Sequence, residues 1–189
     1  MSRKYLQKFQ IKDVVFLAIM SAVALATCAV MPLVISLQPL IFGISQLVTA
    51  LQIGVFFAIG LYKVRKPGSL LIMALMMGLI QLMMSPPMFL SSVLNGILIE
   101  LIVLLLFRGY EKDAAVFCAA MLHTPLSLPF NYLYNRLIKG AGSPLAAVAD
   151  RAPLAAVGMT LAVVAVSALG ALIGIKIARE LKKSGVLKK

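Results

Sequence analysis

The side chains best equipped for chemistry gather in one stretch, Thr124-Pro-Leu-Ser-Leu-Pro-Phe-Asn-Tyr-Leu-Tyr-Asn-Arg136. Pro125 and Pro129 each delete a backbone hydrogen bond, which predicts a helix bent or broken at this level with freed carbonyls. In apolar surroundings such carbonyls must face protein, water or ligand. At helical spacing, Asn131 and Asn135 share one face, as do Tyr132 and Arg136. Amides, a phenol and a guanidinium bind ligands by hydrogen bonding and break no bonds unaided, so this run predicts a pocket. Gln38, Gln81, Asn95 and Arg151 sit at comparable positions in neighbouring segments and would complete it. The basic residues Arg136, Lys139 and Arg151 suit an anionic ligand group, and the aromatic rings suit a planar one. Tyr134 fits equally well as an interfacial anchor.

A second set consists of Glu100, the only acid inside an apolar run, and His123, the only histidine. Counting 1.5 Å per residue from Arg108 and Asp113 puts them at similar depths, about 12 and 15 Å from the same boundary. That permits either a structural hydrogen-bonded link, a proton relay, or no contact. Nothing resembles a catalytic cluster. There is no Gly-x-Ser-x-Gly, no His-Glu-x-x-His and no phosphate-binding Gly-x-x-x-x-Gly-Lys-Ser/Thr. Cys28 and Cys118 are read as small buried hydrophobes, too few for a usual metal site. The sequence therefore predicts no catalytic residue, metal or cofactor. Leu25-Ala-Thr-Cys28 and Ala24-Leu-Ala26 look faintly like cleavage sites but lie deep in an apolar run, so no cleavage is expected.

The elements that must position these residues follow from composition. Hydrophobic residues make up 62% of the 189 and charged residues 13%, far from the soluble norm of about 45–50% and about 25%. Four runs lack any Asp, Glu, Lys or Arg: 14–62, 67–99, 114–135 and 152–175. A bilayer span needs about 20 apolar residues, so the chain is predicted to be an all-α integral membrane protein. Six transmembrane helices are expected at about 14–35, 40–62, 69–84, 88–107, 114–138 and 153–177, in one domain over 1–189. Of the 18 Lys and Arg, 15 fall in alternate gaps and only Arg136, Lys139 and Arg151 in the others. By the positive-inside rule both termini are cytoplasmic. The net charge of +12 is thereby assigned to topology, and no soluble module is left to bind nucleic acid.

Small residues mark where helices can approach closely. Ala18 and Ala22 are four apart, as are Gly170 and Gly174; on spacing alone either pair fits packing inside the bundle or against a partner. Most connections are short, but 139–152 is long enough to serve as a lid or binding loop.

Taken together, the basic lead ending Lys12-Asp13, the Ala18-x-x-x-Ala22 span, six helices in under 200 residues and the close Gly170-Ala-Leu-Ile-Gly174…Leu181-Lys-Lys-Ser-Gly185-Val-Leu resemble the substrate-binding S components of energy-coupling factor (ECF) transporters. The resemblance covers nearly the whole chain. It implies capture of a vitamin or other micronutrient from outside, in a pocket at the outer ends of the later helices, by a non-catalytic subunit of a prokaryotic plasma membrane. It further implies a transmembrane coupling subunit docked at Ala18 and Ala22, two separate ATPase subunits, and toppling of the S component in the bilayer. The chain departs from several vitamin-specific relatives in having no tryptophan, which leaves the substrate open. The alternative is a self-contained proton-coupled transporter using Glu100 and His123.

Overall fold

In the computed structural model, which describes residues 8–28, 33–34, 36–140 and 143–186, seven helices and no strands are formed among those residues. They are α1 (Ile11–Thr27), α2 (Ile44–Val64), α3 (Ser69–Leu82), α4 (Pro86–Phe107), α5 (Asp113–Ile138), α6 (Pro144–Arg151) and α7 (Pro153–Lys183). Proline opens three of them, at Pro86, Pro144 and Pro153. At the first helical position its missing N–H has no partner to lose and its fixed φ already suits the helix. The tight basic turns are closed by left-handed residues, Arg65 (φ 31°) after α2 and Arg108 (φ 60°) after α4.

Helices α2 and α7 form the closest pair. A methyl group on Gly170 would stand 2.5 Å from the Leu51 carbonyl oxygen, and one on Gly54 would meet the Ser167 carbonyl at 2.9 Å. Gly174 likewise has no room for a side chain against Val55. The Gly170/Gly174 pair is thus internal packing. Gly158, on the same helix, has nothing within 4 Å. The main apolar cluster, including Leu17, Phe57, Leu61, Leu70, Met73, Ile99 and Val103, fills the half of the bundle next to the α2–α3 and α4–α5 turns. Only a small cluster of Ala50, Leu128 and Val163 occupies the other half.

Outward, Leu101, Leu105 and Leu106 of α4 and Leu154, Leu161 and Leu169 of α7 are more than half exposed. So large an apolar surface suits a lipid environment and not water. Helices α2, α4 and α7 are long and apolar enough to cross a membrane, and α3 is a shorter apolar helix.

Three expectations need correction. The first helix ends at Thr27 with a turn at Cys28, short of the expected Ile35; residues 29–32 and 35 lie outside those described. The long 139–152 connection contains a helix, α6. Most informative, α5 runs unbroken through Pro125 and Pro129. Pro125 frees the carbonyl of Met121 four residues earlier, and the Ser167 hydroxyl of α7 donates to that oxygen at 2.7 Å. A neighbouring helix thereby replaces the bond the proline removes, as membrane helices allow.

Candidate functional site

Where the apolar core is thin, a cavity of about 380 Å³ opens. It lies between the start of α2, the end of α3, the start of α4, the second half of α5 and the connection entering α6. Five of the residues picked from sequence line it: Gln38, Gln81, Asn95, Asn131 and Asn135. Gln38 donates through its Nε2 to the Ser45 hydroxyl, which in turn donates to Gln46 Oε1 at 2.9 Å. Asn135 accepts from the Ser143 hydroxyl at 3.0 Å and donates to the Asn131 carbonyl at 2.8 Å. The second of these bonds is internal to α5; the first fixes the residue that precedes α6.

Tyr132, Arg136 and Arg151 do not line the cavity, contrary to their grouping from sequence. Tyr132 donates to Asp150 Oδ1 at 2.7 Å, and Arg136 pairs with the other carboxylate oxygen. Asp150 thereby clamps α6 against α5. Arg151 is exposed at the end of α6. The two helix faces read from spacing are both present: one carries Asn131 and Asn135 to the cavity, the other carries Tyr132 and Arg136 to α6.

Glu100 and His123 are not a pair. Glu100 Oε1 accepts the Gly68 N–H at 2.6 Å and Oε2 accepts the Tyr110 hydroxyl at 2.9 Å. The side chain therefore satisfies the N-terminus of α3 from outside the helix, where four backbone donors lack intrahelical partners. His123 instead packs its ring against Phe57, centroids 4.5 Å apart, and lines the cavity.

Sequence reasoning also left Gln46, Thr49, Thr124 and Ser127 out of the site, although all line it, and Lys139, read as suited to an anionic ligand group, lines it as well. Gln46 and Thr49, three apart in a run without charged residues, carried a usable signal. Several lining groups stand unpartnered: Gln81 Oε1, both polar atoms of Asn95, both ring nitrogens of His123 and the Thr124 hydroxyl have no hydrogen-bond partner among the described residues. A buried polar group left so costs about 1–3 kcal/mol, which makes this the conspicuous unsatisfied region of the molecule. Cys28 and Cys118 are free thiols, and among the described residues no cluster of His, Cys, Asp or Glu could hold a metal.

Residues 11–183 match the family described as "Hypothetical bacterial integral membrane protein (Trep_Strep)". The chain belongs to that family. It is accordingly a bacterial integral membrane protein, as its composition required. No curated protein matches the sequence. Among solved structures, one described as "Crystal structure of an S-component of ECF transporter" superimposes with a TM-score of 0.65. The match covers 95% of this chain and 89% of that one at 21% identity. What the two share at that identity is the fold, and the resemblance read from sequence holds at that level.

Proposed function

We propose that this membrane protein is the substrate-binding S component of an ECF-type transporter. It takes a vitamin or related micronutrient from outside into the cavity, and separate subunits supply ATP hydrolysis. The observation that carries the reading is the cavity itself, lined by amides, hydroxyls and an imidazole and placed within a fold shared with an S component over nearly the full chain. Six membrane crossings with both termini cytoplasmic fit the distribution of basic residues, which would open the cavity outward. Gln38, Gln81, Asn95, Asn131 and Asn135 are then the substrate-facing residues. Tyr132 and Arg136 hold α6 at the cavity's edge, and Arg151 at its end has no place in the pocket.

Ala18 and Ala22 are the proposed docking face for the coupling subunit. Leu17, Ser21 and Ala24 of α1 are buried in the bundle, whereas Ala18 is half-buried and Ala22 exposed, flanked by the half-exposed Val15 and Ile19. The pair is therefore free to meet another helix at close range. Replacing both with tryptophan is expected to abolish co-purification of the coupling subunit and uptake, while ligand binding by the isolated protein is kept. Loss of ligand binding with co-purification intact would assign this face to internal packing and sink the docking assignment.

A further inference from the structure

The inner end of the cavity has a chemistry distinct from its mouth. Asn95 is 1% exposed, Thr124 3% and His123 4%, and together with Gln81 near the end of α3 they carry the unpartnered polar atoms of the cavity lining. An amide offers two donors and an acceptor, a hydroxyl offers both, and a neutral imidazole offers one of each. The set is thus rich in paired donors and acceptors and carries no carboxylate. Phe57 backs the imidazole with its ring tilted 58°, so the histidine is held in place.

Charge is arranged just as pointedly. The chain has six acids, and none lines the cavity. Asp13 is bound to Lys66, Asp113 to Arg65 and Arg179, Asp150 to Arg136, and Glu180 to Lys183. Glu100 serves Gly68 and Tyr110, and Glu111 lies in the α4–α5 turn at the opposite end. Lys139, just past α5, is the lone Lys or Arg in the lining among the described residues. A cation entering here would give up its hydration and find no counter-charge, a heavy penalty away from water. An uncharged ring with a donor beside an acceptor on its edge would instead give the orphaned atoms their partners.

We infer that the inner end of the cavity is a subsite for an uncharged ring bearing a carboxamide or lactam edge, and that any formal charge on the substrate is negative and lies toward Lys139. This deepens the reading of the cavity as a substrate site and rests on it. Groups kept polar for a ligand leave the empty protein less stable than it could be, and that gives a readout independent of any ligand.

The test uses the full chain in detergent, with Asn95→Leu and Thr124→Val as separate variants. Thermal unfolding is followed without ligand and with millimolar nicotinamide, nicotinate or 1-methylnicotinamide, which place a neutral, an anionic and a cationic form on one ring. Ligand-free variants are expected to melt at or above the wild-type temperature, because orphaned atoms have been removed. Nicotinamide should raise the melting temperature of wild type, since a ligand bound only to the folded state stabilises it. 1-Methylnicotinamide should not, and each variant should bind nicotinamide roughly five-fold or more weakly. Lower ligand-free stability in both variants would show the cluster to be satisfied within the protein and overturn the subsite. So would an equal shift from the cationic probe, no shift from nicotinamide, or a nicotinamide shift unchanged in the variants. Co-purification of the coupling subunit, followed in parallel on wild type, separates the outcomes: its failure removes the S-component reading alone, and failure of the melting results removes the subsite alone.

Discussion

At the end of the bundle that carries the α2–α3 and α4–α5 turns, the acids of α1, α4 and α5 are matched. Asp13 takes the Gln10 N–H and Lys66, Asp113 takes both Arg65 and Arg179, and Glu100 takes Gly68 and Tyr110. The main apolar core packs beside them. At the other end the core is small, and Asn95, His123 and Thr124 stand enclosed without partners around a cavity. Both ends place polar side chains inside an apolar chain. One arrangement ties helices together and leaves only the Ser69 hydroxyl over among the buried side chains described there, and the other keeps hydrogen-bonding capacity in reserve. The difference separates polar residues that build the fold from polar residues available to a ligand, a distinction residue type alone does not make.

Removing a polar group should therefore have opposite consequences at the two ends. The largest effect is expected for Glu100→Leu. It strands the Gly68 N–H at the start of α3 and the fully buried Tyr110 hydroxyl. A buried donor left without its acceptor costs about 1–3 kcal/mol, so with two such groups a loss of about 3 kcal/mol is expected in reversible unfolding in mixed micelles. Glu100→Gln keeps an acceptor and should lose distinctly less. Stability unchanged by Glu100→Leu would erase the contrast between the ends.

The cavity end predicts a loss of binding with little loss of stability. Asn135→Ala removes an amide that lines the cavity and accepts from Ser143. A cost of about 1–3 kcal/mol for a lost desolvated hydrogen bond corresponds to a roughly 5- to 150-fold weaker affinity. Calorimetry with the ligand released from the purified protein and identified by mass spectrometry would read it. Arg136→Ala should weaken binding less than Asn135→Ala, because Arg136 faces Asp150 with both side chains nearly half exposed, and exposed ion pairs contribute about 0–1 kcal/mol. The reverse order would place Arg136 against the substrate after all.

These assignments also show which parts of the molecule could be read from its sequence. A helix start was legible where proline supplied a local rule at Pro153, and to within two residues at Pro86, whereas the same rule at Pro144 went unread inside an apparent loop. The two faces of α5 were legible from spacing as well. Which face meets the cavity was not, because Asp150, on a helix hidden in an apparent loop, takes Tyr132 and Arg136 for itself. The continuity of α5 was equally out of reach: the hydroxyl that repairs it belongs to Ser167, 46 residues beyond Met121. Glu100 and His123 share a depth, but depth fixes only position along a helix. Rotation about each axis turns one toward Gly68 and the other toward Phe57.

The smallest expected effect belongs to the exposed part of the matched end and is best seen through pH. Burial pushes the Asp113 carboxyl up, but hydrogen bonds from Arg179 and Arg65 outweigh it and hold the group below the ordinary carboxylate range. A group depressed in the folded state binds its proton more readily when unfolded. Its contribution is complete above the unfolded value of about 3.9 and is lost as pH falls through the lower folded value. Asp113 is about one-third exposed and Arg179 about half, so solvent screening limits the contribution to about 1 kcal/mol or less. Asp113→Asn should thus lower the melting temperature slightly and by the same amount at pH 7 and pH 5. The difference from wild type should shrink only below about pH 4. Asp13, also held low against burial by its bonds from Lys66 and Gln10, is expected to follow the same course. A gap that closes between pH 7 and pH 5 would mean that these carboxylates are not depressed and that the turns are held by something else.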